Sequence, residues 1–145
     1  MKLSNRYLVM FLALVSASTF AAEDPILYVC HPAGGSDSYA QLADAVLTVS
    51  MTENSDTYLA SVLSTNARNP GEKIHLISAT VLRTELSDAV SFHGQGLADE
   101  VFSMSIVKDP SVGTPGLLTP NYTATVSFGI YEDVEWSCTS PIDPQ

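Results

Sequence analysis

Residues 122–131 read Tyr-Thr-Ala-Thr-Val-Ser-Phe-Gly-Ile-Tyr, and this stretch decides the fold class. Tyr122, Ala124, Val126, Phe128 and Ile130 fall on one side of an extended chain. Thr123, Thr125, Ser127 and Gly129 fall on the other. Successive side chains of a strand point to opposite faces, so this period of two describes a β-strand with one apolar and one hydroxyl-bearing face.

The same pattern extends in both directions. On the C-terminal side, Glu132-Asp133 reads as a turn, and Val134, Trp136 and Cys138 share the inner face of a last strand. On the N-terminal side, Phe102, Met104 and Ile106 alternate with Ser103 and Ser105. Lys73–Arg83 is rich in β-branched residues and sets His75 in phase with Ile77, Ala79 and Val81. Glu85–Phe92 is a further strand with Leu86, Val90 and Phe92 in phase, followed by a Gly-containing connection over His93–Leu97. Ala45, Leu47, Val49 and Met51 form one face of another strand. The Glu53–Asp56 turn joins it to Thr57–Leu63. Thr65–Glu72 reads as a loop, with Pro70-Gly71 as its turn signal. Ile26–His31 is a short apolar strand after Pro25.

These readings give about eight strands at hairpin spacing. One short helix is allowed near residues 38–44, where Tyr39, Leu42, Ala43 and Val46 have helical spacing and Ser36 or Asp37 offers a cap. No helix is long enough for a parallel crossover. The expected fold is all-β and antiparallel, a two-sheet β-sandwich first and a closed β-barrel second.

The first 21 residues read as an address. Lys2 and Arg6 form a positive n-region, Tyr7–Val15 is an unbroken apolar run, and a cut after Ala21 places Thr19 and Ala21 at the two small-residue positions. The apolar run is too short for a bilayer span, which needs about 20 residues. The expected division is therefore a removable signal peptide over 1–21 and one β-domain over 22–145. The expected location is the periplasm or the cell exterior.

The whole chain has 145 residues, 46% hydrophobic and only 15% charged, with a net charge of −10. Without Lys2 and Arg6, four basic residues face all 16 acidic ones, a net −12. Such a balance excludes a nucleic-acid binder built on clustered Lys and Arg. Cys30 and Cys138 are the two cysteines. In an exported chain the expectation is a disulfide between them, joining the first strand to the last, either as neighbours in a sheet or across the core.

Catalytic chemistry is thin. His31, His75 and His93 have no zinc-ligand spacing. Ser36, in Gly-Gly-Ser-Asp-Ser, lacks the strand–elbow–helix setting of a nucleophilic serine. The acidic turns at Asn54/Asp56, Asp99/Glu100 and Glu132/Asp133/Glu135 match no calcium loop. The sequence thus leans away from an enzyme and assigns no cofactor, metal or catalytic residue. Lys108–Asn121 is the longest irregular stretch, and long loops are often functional. Val112, Leu117, Leu118 and Tyr122 are its candidate binding residues. The first expectation is a non-catalytic binding or interaction module for a protein or surface ligand, without stable membrane insertion. A small secreted hydrolase with a site assembled from distant residues is the second. A structural subunit assembling by β-strand addition is the third.

Overall fold

The structure is a computed structural model that describes residues 24–33, 39–108 and 121–141. The expected signal segment, Ser36, Asp37 and the loop residues Val112, Leu117 and Leu118 lie outside the described residues.

Eight strands are present among them: β1 (Ile26–Pro32), β2 (Val46–Met51), β3 (Tyr58–Asn66), β4 (Asn69–Glu85), β5 (Ala89–Gly96), β6 (Val101–Lys108), β7 (Asn121–Phe128) and β8 (Tyr131–Thr139). Each pairs antiparallel with its neighbour in sequence, and β1 pairs with β8 to close the ring. The protein is therefore an up-and-down antiparallel barrel, and the sandwich expectation is corrected to the second one. Alternation cannot separate the two, because both bury one face of every strand. The deciding contact is the β1–β8 seam, which leaves the sheet no terminal edges to form two layers.

That seam carries the disulfide. Cys30 and Cys138 are direct cross-strand partners, with a Cα separation of 4.0 Å, and both are fully buried inside the barrel. The register runs from Val29↔Thr139 to Pro32↔Trp136, and one further bond, from the Ala33 N–H to the Glu135 carbonyl at 2.9 Å, extends it. The covalent bond reinforces this short seam.

The expected apolar faces point inward. Leu47 and Val49, Phe102, Met104 and Ile106, Ala124, Val126 and Phe128, and Val134 and Trp136 are all core residues. Their hydroxyl-bearing neighbours, such as Thr123 and Thr125, face out. Burial of each large side chain contributes about 1.5–3 kcal/mol.

Several local expectations shift by a few residues. The β3–β4 turn falls at Ala67-Arg68, and Pro70-Gly71 lies within β4. Asn66 makes the difference, because its Oδ1 accepts from the Arg68 N–H at 3.0 Å and its Nδ2 donates to Glu72 at 3.0 Å. Within β4, a bulge between the Ile77 and His75 pairings turns His75 outward and leaves Leu76 against the core. Between β4 and β5 the turn covers 86–88, so Leu86 is exposed, and β5 runs on to Gly96. The β7–β8 turn is Gly129-Ile130, with Gly129 at φ +54° and Ile130 exposed. Asp133 lies inside β8 at φ +50°, and its N–H donates to Ser127 Oγ at 2.8 Å. The helical spacing near Tyr39 becomes one 3-10 turn, η1 (Ala40–Leu42), whose first flanking residue, Tyr39, provides no side-chain cap.

Candidate functional site

Strand direction sorts the connections into two barrel ends. One end carries η1, the β3–β4 turn and the turns before β6 and β8. The other carries the connections 52–57, 86–88 and 109–120.

The η1 end is closed by a packed plug. Leu42 and Ala45 are fully buried. The Tyr39 ring meets Tyr131 edge-on at 5.1 Å, and Tyr131 Oη donates to Gln41 Oε1 at 2.7 Å. Ser64 Oγ donates to the Gln41 carbonyl at 2.7 Å. Beyond this plug β3 and β4 continue as a two-stranded ribbon that outruns its neighbours. A cleft of about 650 Å³ opens between the ribbon and η1. Ile74, Leu76 and Pro70 form its apolar side, and Gln41, Asp44, Asn66 and Arg68 form its polar side.

The opposite end is floored by aromatic rings. Tyr122 meets Tyr28 at 5.6 Å, Tyr28 meets Phe92 at 6.0 Å, and Phe92 meets Tyr58 at 5.5 Å, each near perpendicular. Such edge-to-face pairs add about 0.5–1.5 kcal/mol each beyond burial. A cleft of about 620 Å³ adjoins this floor, lined by Tyr28, Tyr122, Ile106, Val107 and the Leu86–Val90 turn. Beside it Arg83 pairs with Glu85 at 2.6 Å, over a smaller recess of about 410 Å³ that also includes Ser55, Asp56 and Tyr58. Arg83 shares the inward face with its partner Phe92, and its Nε is buried without a hydrogen-bond partner among the described residues.

Of the candidate binding residues, Tyr122 is therefore at a cleft, though only 8% exposed. Tyr28 lines the same cleft, Tyr58 lines the smaller recess, and Phe92 is fully buried between their rings. Sequence periodicity puts Phe92 in phase with Val90 but cannot bring the three rings to one end, since they come from β1, β3 and β5.

The three histidines are exposed and stand on separate parts of the outer wall. His31 is opposite Ser137, His75 opposite Leu63, and His93 opposite Leu82 and Ser103. None is hydrogen-bonded to a serine or a carboxylate among the described residues. The described residues hold no group of three or more His, Cys, Asp or Glu suited to a metal ion.

Together these features define a small antiparallel barrel with a side-chain-filled interior and clefts at its two ends. No family model, curated protein or solved structure matches the chain.

Proposed function

We propose that this chain is an exported, non-catalytic binding protein that recognises a protein or surface ligand at the end of the barrel where residues 109–120 emerge. The observation that carries this reading is the 620 Å³ cleft beside the aromatic floor, whose lining includes Val107 and Tyr122, close to the two ends of that loop. Large, stiff tyrosines lose little entropy on contact, which suits them to recognition.

Export is supported by the three-part N-terminal segment and by the buried disulfide, since such bonds persist in oxidising compartments. The outer wall presents Ser103, Ser105, Thr123, Thr125 and Ser127, whereas a lipid-spanning barrel presents apolar residues there. That inversion supports a barrel surrounded by water.

Capture from an envelope fraction tests the reading. The wild-type protein and a variant with 109–120 replaced by a short Gly-Ser linker are compared at matched stability. Loss of the captured partner with the linker variant is the expected result. Equal capture by both refutes the assignment of this end.

A further inference from the structure

β4 is 17 residues long, but it pairs with β5 only from Ala79 to Glu85. Of its first ten residues, Asn69, Lys73, Ile74, His75, Ile77 and Ser78 are paired to β3, with irregularities at 70–72 and at Leu76, and none of the ten pairs with another described strand. At about 3.3 Å per residue the stretch Lys73–Ser78 is an open edge of roughly 20 Å, which presents backbone N–H and C=O groups on either side of the bulge at Leu76.

Three properties of this edge select its occupant. First, the part next to the barrel, Ile74–Ser78, carries no Lys, Arg, Asp or Glu, and Ile74 is 41% exposed. Second, Ile74 and Leu76 line the 650 Å³ cleft. Side chains of an added strand alternate, so every second one faces the same side of the ribbon as that cleft. Third, the ribbon carries a net charge of about +1, Arg68 and Lys73 against Glu72, on an acidic protein. Two of the four Lys and Arg residues between 24 and 141, Arg68 and Lys73, lie on it, and neither has an ion-pair partner among the described residues. Lys73 Nζ donates only to Thr65 Oγ1, at 3.1 Å, and Glu72 accepts from Asn66.

Self-pairing fits these facts poorly. A two-fold pairing centred on Lys73 sets the Lys73 side chains of two copies opposite one another, and like charges so placed are destabilising. Pro70 also removes one donor, which limits pairing at the outer end.

We propose that the free edge of β4 takes an extended acidic segment of a partner protein as an added strand, with an apolar side chain seated in the cleft between the ribbon and η1. The ribbon's backbone supplies affinity, the cleft selects the apolar residue, and Arg68 and Lys73 select the charge. This surface lies at the barrel end opposite the 109–120 loop, so it stands or falls independently of the function proposed above.

The test uses the ¹⁵N-labelled, disulfide-bonded protein and three synthetic acetylated heptapeptides. One alternates valine and threonine between terminal aspartates. The second has lysines in place of the aspartates. The third is the aspartate peptide with a central proline. The expected result is saturable shifts confined to the amides of 69–78 and of η1 with the aspartate peptide. The lysine peptide should bind at least about tenfold more weakly, affinity should fall with added salt, and the proline peptide should not bind. Arg68→Glu/Lys73→Glu, at the exposed end of the ribbon, should reverse the preference between the first two peptides. Ile74→Lys should weaken both without moving the thermal midpoint by more than a few degrees. The proposal is overturned by an absence of shifts over 69–78, or by equal binding of the lysine or proline peptide. Concentration-dependent dimerisation that shifts the same amides without peptide also overturns it, because the occupant would then be a second copy.

Discussion

Removing the Cys30–Cys138 bond probes the feature that makes this sheet a barrel. Every other strand pair is a neighbour in sequence, whereas β1 and β8 are held across a sequence separation of 108. In the chain-entropy account, a cross-link closing about 100 residues restricts the unfolded state by about 4.7 kcal/mol at 25 °C. The seam it spans has four register pairs and one further bond, Ala33 N–H to the Glu135 carbonyl, so little hydrogen bonding compensates for its loss. Both cysteines are fully buried, so Cys30→Ala/Cys138→Ala adds a small packing loss and leaves no thiol to repair the link. For a domain of about 120 residues, unfolding entropy of about 2.1 cal/mol/K per residue converts 4.7 kcal/mol into a fall in Tm of about 19 °C. In urea, with a slope of about 1.5 kcal/mol/M, the midpoint should fall by about 3 M. The assay is equilibrium unfolding followed by Trp136 fluorescence, since this single tryptophan is fully buried and adjoins the seam through Pro32. Amide exchange should accelerate first in β1 and β8. A loss below about 1 kcal/mol, or exchange that accelerates evenly around the barrel, refutes the idea that the bond holds the weakest seam.

Three further outcomes follow from packing and backbone geometry. A Cβ on Gly94 would overlap the Thr80 carbonyl oxygen, while a Cβ on Gly71 meets nothing within 4 Å; Gly94→Ala should cost at least about 2 kcal/mol in denaturant unfolding and Gly71→Ala less than about 0.5. Phe92 is fully buried and edge-on to two tyrosines, so Phe92→Ala should cost about 3–5 kcal/mol, whereas Trp136→Phe should cost less because it also removes a buried indole N–H that has no acceptor; thermal melts of the two variants give the comparison. Asp133→Gly should be tolerated at φ +50° and Asp133→Val should not, with Ser127→Ala costing about 1 kcal/mol through the lost bond to the Asp133 N–H, again read from urea midpoints.

Much of this barrel is legible along the chain. The inner faces of β2, β6, β7 and most of β8 follow from a period of two, because burying one face of a strand leaves no other pattern. The departures have local causes. His75 leaves its expected face because a bulge inserts Leu76, and a bulge is a choice of pairing between strands. The β3–β4 turn ignores Pro70-Gly71 because Asn66 can hold a turn three residues earlier by bonding Arg68 and Glu72. Ile130 follows the alternation on paper but falls in the turn that Gly129 begins. Of the aromatic floor, periodicity placed only Phe92 and Tyr122 on strand faces, and no local pattern says that the rings share an end.

By itself the sequence determined the all-β class, about eight strands at hairpin spacing, the pairing of the two cysteines and the apolar interior. All of these depend on local periodicity, turn chemistry or the absence of other partners. Only the tertiary structure decided that the sheet closes, which rings share an end, and that β4 outruns β5 to leave a free edge. Closure and edge exposure depend on the register between strands far apart in the chain, and alternation is unchanged when a strand slides by two residues.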